Sequence, residues 1–450
     1  MTAKPDPIDG TRRLSRRAAF LAPLALGGCS VWDGWFGEVK QPLPGRREPI
    51  LASRRGLSID ETAPKIKLPQ PVVNAAWPQA GGNPAHVMGH LAGSERLASA
   101  WNSNIGDGGG YRRVILAQPV VADGLVYTMD SEAMVAAFDL AGGGRAWRYE
   151  TRDDESRSTN IGGGLCVDGG TLFAVNGLTD LVALDAKTGA LKWRTKLDAP
   201  ARSAPTVADG RIFITTLNDR LTAFATTDGH VLWSYRAAAA NATMLGQPAP
   251  AYARGLVVAG FGSGELAAIR ADTGTVVWTD GLGASRGRSG LADFLSIRGA
   301  PVISNGRVFA IGMGGLTVSI DLPTGRRLWE RQIAGVNNIW AAGDWIFLIS
   351  MDQEVAALNA DDGQVAWLTA LPRWEDPDKR KDPMTWFGPV LIGDRLIVTG
   401  RSEEALAISP YTGAILGRQR LSGAAAPIAP IVVDRTLLVV TDDGRLSALR

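Results

Sequence analysis

Few residues in this chain have the chemistry to act on a substrate. Its 450 residues include 3 histidines and 2 cysteines. His86 and His90 stand four apart in Asn83-Pro84-Ala85-His86-Val87-Met88-Gly89-His90. On a helix that spacing would let two imidazoles share a zinc ion. Pro84 and Gly89 oppose a helix there, and no third ligand is nearby, so a structural role fits better. Cys166 stands alone in Gly164-Leu165-Cys166-Val167, an apolar strand in which a thiol packs as a small buried side chain. The glycine run Gly162-Gly163-Gly164 lies between strands and reads as a tight turn rather than a phosphate cradle. No G-x-S-x-G element and no Walker loop occurs. These observations predict no catalytic residue, no bound metal and no cofactor.

The second cysteine suggests different chemistry. Residues 1–17 hold Arg12, Arg13, Arg16 and Arg17, followed by the short apolar stretch 18–28. This is the pattern of an export signal, and the stretch is too short to span a bilayer as a helix. Leu26-Gly27-Gly28-Cys29 resembles a bacterial lipobox, in which the cysteine is acylated and the chain is cut just before it. Several acyl chains together anchor a protein stably where one would not. Ser30 after the cysteine resembles an outer-membrane destination. Arg16-Arg17 resembles a twin-arginine signal, with the Phe one place late. Removing 1–28 takes away five basic and two acidic side chains, so the formal charge falls from +2 to −1. The basic balance belongs to the signal, and nucleic acid is not the expected partner. Residues 29–74, rich in Pro, Arg and Lys, read as a tether between lipid and body.

Residues 75–450 must then be one folded body, and self-comparison gives its architecture. Segments such as TLFAVNGLTDLVALDAKTGALKW, RIFITTLNDRLTAFATTDGHVLW and WIFLISMDQEVAALNADDGQVAW align with one another. Their tryptophans fall at 101, 147, 193, 233, 278, 329 and 367, spaced 38 to 51 residues apart. A seventh copy of the aligned segment has Gly417 in the tryptophan position, and an eighth stops at Arg450 before its last strand. Val/Ile/Phe/Thr-rich runs punctuated by Gly and Asp exclude a helical repeat and suit a unit of four short strands. Leu97 to Trp101 supplies the orphan fourth strand. The expected fold is therefore all-β: an eight-bladed β-propeller with four-stranded antiparallel blades, closed by N- and C-terminal segments that share one blade. Closure leaves no exposed sheet edge between first and last blade.

The Ala-x-Asp-x-x-Thr-Gly-x-x-x-Trp pattern resembles the tryptophan-docking repeat of pyrroloquinoline-quinone (PQQ) propellers. With the lipobox, the tether and the opening Ala76-Trp77-Pro78-Gln79, the whole chain resembles the BamB family of lipoproteins of the outer-membrane β-barrel assembly machinery. That resemblance implies a non-catalytic scaffold at the periplasmic face of the outer membrane. It would dock on the POTRA domains of the barrel-assembling protein and help to hand over unfolded outer-membrane proteins. The family's docking loops correspond to Met244-Leu245-Gly246 and Ser296-Ile297-Arg298. Better-known relatives carry an Arg at the place of Leu245 and acidic residues at the places of Ser296 and Arg298, so the charge of the contact is altered here. Arg298 remains able to grip a partner carboxylate with two hydrogen bonds.

Two other readings compete. A PQQ-dependent periplasmic dehydrogenase would, by resemblance, need adjacent cysteines in a disulfide, a Glu–Asn–Asp calcium site, a base and a cationic group near the quinone. Here Cys29 is committed to lipid, Cys166 has no mate, and no acidic cluster of that style is visible. A sensor or polysaccharide-binding propeller would need exposed aromatic residues. Only Trp374 and Trp386, flanking the charged insertion RWEDPDKRKDP at 373–383, suggest them. That insertion reads as a solvated rim loop or, given its two tryptophans, as a partner contact.

Overall fold

A computed structural model describes residues 57–152, 162–239, 246–283 and 295–450. Arg16, Arg17, Cys29, Met244 and Leu245 lie outside the described residues. Every regular element among those described is a strand or an isolated bridge. Eight four-stranded antiparallel sheets follow one another as blades. Blade 1 opens at Val120–Ala122, blade 2 at Gly164–Asp168, blade 3 at Thr206–Ala208 and blade 4 at Ala251–Ala253. Blades 5 to 8 open at Val302–Ser304, Trp340–Ala342, Trp386–Ile392 and Ile431–Val433. Blade 8 is composite: its first three strands end with Arg445–Leu449, and its fourth is Ser99–Asn104. The eight-bladed propeller expected from the repeat is the observed fold.

One row of side chains explains the repeat pattern within a blade. Phe173 pairs with Ala183, which pairs with Trp193. The same row is Tyr127–Ala137–Trp147 in blade 1, Phe213–Ala223–Trp233 in blade 3 and Phe347–Ala357–Trp367 in blade 6. A small residue on the third strand lets the aromatic ring of the second reach the tryptophan of the fourth. Their centroids are 5.8–6.1 Å apart in these blades, the separation at which tilted aromatic pairs attract.

Each tryptophan also reaches the next blade. The indole Nε1 of Trp101 donates to Leu140 O at 3.1 Å, Trp147 to Ala186 O at 3.0 Å and Trp193 to Thr226 O at 3.2 Å. Trp233 donates to Ala271 O at 2.9 Å and Trp278 to Leu322 O at 2.7 Å. Trp329 and Trp367 donate to Ala360 O and Pro410 O, each at 2.9 Å. In every case the acceptor carbonyl belongs to the turn between third and fourth strands of the following blade. The ring lies on that turn's glycine. A Cβ on Gly189 would fall 2.6 Å from Trp147, and one on Gly325 2.5 Å from Trp278. Both glycines have φ of +73°, so closeness and backbone conformation exclude a side chain together. The Asp and Thr of the motif build the turn. Asp185 Oδ1 accepts from Thr188 N–H at 3.0 Å and Thr188 O–H at 2.9 Å, bonds that hold its carboxyl below the usual range.

The interface from blade 7 to blade 8 has neither half of this lock. Gly417 replaces the tryptophan, and blade 8 has no turn after its third strand because its fourth strand comes from Ser99–Asn104. A tryptophan at 417 would have no glycine to receive it. That seam lies in the largest apolar cluster, which runs through blades 6, 7, 8 and 1 and includes Trp77 and Leu91. Gln419 Nε2 also donates across it to Leu97 O at 2.8 Å.

The segment before Ser99 makes a circuit of all eight blades. Asn74 Nδ2 donates to Val432 O in blade 8 at 2.7 Å. Trp77 bridges Val121 in blade 1, and Gln79 bridges Cys166 in blade 2. The Gln79 side-chain amide then pairs with Val207 N–H and C=O in blade 3, both at 2.8 Å, in place of a strand. Pro84 O, Ala85 O and Gly89 O accept from Tyr252 N, Ile303 N and Trp340 Nε1 in blades 4, 5 and 6. Leu91 bridges Ile392 in blade 7, and Ala98 pairs with Arg450 beside blade 8. Residues 57–74, assigned by sequence to the tether, also touch the ring. Asp60 Oδ2 accepts from Val365 N at 2.8 Å and from Arg331 Nη2 at 3.2 Å.

Candidate functional site

Residues at or near the start of each blade's first strand converge in the ring. There they line a cavity of about 140 Å³, the bore, to which all eight blades contribute. Gln118 comes from blade 1, Gly163 from blade 2, Arg202 from blade 3 and Gln247 from blade 4. Arg298, Asn338, Gly388 and Ala429 come from blades 5 to 8, and Ala80 of the circuit lines it too. Farther along the same inner strands the circuit makes its pairings.

Among the described residues only two in the lining carry charge, Arg202 and Arg298, and none is Asp or Glu. Neither guanidinium forms a hydrogen bond or ion pair with a described residue. Burial alone lowers the pKa of both. Elsewhere the chain pairs its partly buried arginines: Arg327 meets Asp280 through Nε at 2.7 Å and Nη2 at 2.6 Å. Arg202 Nε and Gln247 Oε1 are buried without a hydrogen bond. Gln118 accepts from Trp77 Nε1 and Gly81 N and donates to Ala429 O.

The docking residues expected from sequence divide into groups. Gly246 and Arg298 come together at the bore: a Cβ on Gly246 would stand 2.9 Å from Arg298 Nη2, and its φ is +86°. Glycine there leaves room for the guanidinium. Ser296 and Ile297 have buried side chains. Ser296 Oγ donates to Gly262 O at 3.0 Å, and Ile297 packs where a Cβ on Gly260 would stand. These two fasten the stretch that carries Arg298. Arg202 was not singled out by sequence; Ala201-Arg202-Ser203-Ala204 has no motif, and only the convergence of blades brings it to Arg298.

The remaining candidates are structural. His86 is buried at positive φ, with Nδ1 2.8 Å from Pro301 O, and desolvation lowers its pKa to about 4. Since a carbonyl only accepts, Nδ1 carries the proton, and buried Nε2 is left unpartnered. His90 sits between Pro69 O at 2.7 Å and Gly393 O at 2.6 Å. Cys166 is fully buried, which pushes its thiol well above the usual range. No group of three His, Cys, Asp or Glu that could hold a metal ion occurs among the described residues. Gly162 and Gly163 both have positive φ, and the run turns the chain into blade 2.

The insertion requires a correction. Trp374–Asp376 and Lys381–Pro383 form an extra hairpin, and Trp374 is half-buried. Trp386, expected to be an exposed partner to it, is 0% exposed. It begins the first strand of blade 7, pairs with Gly400 and donates from Nε1 to Pro372 O at 2.8 Å. The apolar run that follows it draws it into the core. Among the described residues the most exposed aromatic is instead Tyr111, at 86%, with the Arg112 guanidinium 5.1 Å from its ring centre.

Comparison with known proteins separates fold from family. By structure the chain is similar to BamB from Moraxella catarrhalis (TM-score 0.65, 19% identity, 79% of this chain and 99% of that one). It is about as similar to the quinohemoprotein alcohol dehydrogenase of Comamonas testosteroni (TM-score 0.64, 15% identity, 83% and 80%). At these identities both show the propeller alone. Sequence discriminates further. The outer membrane protein assembly factor BamB of Salmonella typhimurium is 28% identical over 356 residues, 78% of this chain and 88% of the relative. A family model described as outer membrane protein assembly factor BamB matches residues 131–369 and 372–450. That match takes in seven of the eight blade openings, and on it the chain belongs to the BamB family of outer membrane protein assembly factors.

Proposed function

We propose that this protein is a non-catalytic assembly factor for outer-membrane proteins, held at the periplasmic face of the outer membrane by acyl groups on Cys29. It works by binding: the rigid ring presents its mouth, with Gly246 and Arg298, to POTRA domains of the barrel-assembling protein. Unfolded outer-membrane proteins are its clients. The family match over most of the blade body carries this reading. The bore adds support. A quinone with calcium needs several converging oxygen ligands, carboxylates among them, and ordinary cofactor pockets have volumes of roughly 300 Å³ or more. Among the described residues this bore has no carboxylate, two cationic side chains and about 140 Å³, so the described lining does not fit that group.

The test is affinity capture of the full-length lipidated protein from detergent-solubilised envelopes, with mass spectrometry of what is retained. Recovery of the POTRA-bearing barrel assembler is expected. Recovery of a cytochrome or other redox partner in its place would overturn the reading, as would retained quinone absorbance with dye-linked alcohol oxidation.

A further inference from the structure

The two arginines of the bore are unexplained by the fold. A charge taken partly out of water costs free energy unless an opposite charge or hydrogen bonds replace the lost solvent. Arg202 and Arg298 bear that cost in the lining of one small cavity, on blades 3 and 5, with no acid among the described residues around them. The backbone accommodates Arg298: Gly246, at positive φ, leaves the space beside Arg298 Nη2 open. Asn338 Oδ1 accepts from Ala300 N at 2.8 Å, which leaves its amide N–H groups without a partner among the described residues. The lining is thus rich in donors, with buried Gln247 Oε1 as an unsatisfied acceptor.

We infer that the bore is a socket for a carboxylate group, gripped by the Arg202 and Arg298 guanidiniums. Two planar forks match the planar, bidentate geometry of a carboxylate. The volume, about 140 Å³, suits a small group, being below the roughly 300 Å³ at which ordinary ligand pockets begin. Ala80, Ala204 and Pro248 in the wall offer apolar contact to a short methylene stem. The carboxylate comes either from an acidic side chain of a protein seated over the mouth or from a free small dicarboxylate. This inference stands apart from the assembly role: failure to capture a POTRA protein leaves it intact.

Isothermal titration of the detergent-solubilised full-length protein tests it with paired probes. Glutarate is compared with glutaramide, and acetyl-Ala-Glu-Ala-amide with its Gln counterpart. Each acid is expected to bind and each neutral analogue to fail, with affinity falling as salt rises. The Arg202→Gln/Arg298→Gln double variant should bind at least ten-fold more weakly. Tighter binding of the peptide assigns the carboxylate to a protein, and tighter binding of glutarate to a free ligand. Without ligand the double variant should melt at the same temperature as the parent or higher, because it loses two unpaired charges. If it does not fold, Arg298→Lys keeps the charge without the fork and should weaken binding several-fold. Equal binding of acid and amide, undiminished binding by either variant, or displacement by sulfate at equal affinity overturns the socket.

Discussion

Seven of the eight blade interfaces are joined in one way and the eighth in another. At the seven, an indole donates to a turn carbonyl and lies on a glycine that no other residue could replace. At the seam between blades 7 and 8, Gly417 is exposed, nothing stands within 4 Å of where its Cβ would be, and no receiving turn exists. There the work passes to the continuous apolar cluster and to the segment 74–104. The repeat thus contains a local device copied blade by blade. Closure of the ring uses a different, long-range one, because the last blade takes its fourth strand from Ser99–Asn104, far away in sequence.

The largest effect should come from the seam. Removing residues 436–450 takes away two strands of blade 8 and the only strand that Ser99–Asn104 pairs with. Calorimetry should then show no cooperative unfolding transition. A deletion variant that merely melts a few degrees lower would mean that the seven locked interfaces hold the ring unaided.

Next come the locks. Gly325→Ala combines positive φ with a Cβ 2.5 Å from Trp278 and should cost about 3 kcal/mol in urea unfolding. A comparable effect is expected from pH acting on the circuit. The neutral His86 ring is the buried form, protonating at about 4 when folded and near 6.5 when unfolded. Between those values the unfolded chain binds more protons. Stability is therefore full above about pH 6.5 and falls toward pH 4 by up to ~3 kcal/mol, measurable as a drop in urea midpoint. His86→Asn, which tolerates the positive φ, should flatten that profile.

Trp278→Phe keeps the ring but leaves the Leu322 carbonyl without its donor, and should cost about 1–3 kcal/mol by the same assay. The smallest effect sharpens the comparison most. Gly417→Ala should change stability by less than about 0.5 kcal/mol, since its surroundings are open. A loss comparable to Gly325→Ala would show that the seam hides a lock of its own.

The blades were legible because each copies the same short message: an apolar strand, a small residue opposite an aromatic one, a tight turn and a tryptophan. Gly417 and the orphan Leu97–Trp101 strand were visible too, although not that one explains the other. The circuit was not legible. Its bonds are single bridges at Trp77, Gln79 and Leu91, with neither the period of a strand nor the signature of a turn. Arg202 was missed for a similar reason, because a charge's significance depends on which blades meet, and chain neighbours do not record that. Trp386 borders a charged insertion, but the Pro389-Val390-Leu391-Ile392 run after it decides its burial.

The circuit also has a consequence in time. Residues 74–104 are made before any blade, yet their partners include Val432 and Arg445–Leu449. During synthesis each new sheet can dock on the one before it, but the first strand of the ring waits with its hydrogen-bonding groups open until translation has passed residue 449. Completion of this fold is therefore a late, single event, and a ribosome stalled partway through leaves an open arc whose first-made edge has nothing to pair with.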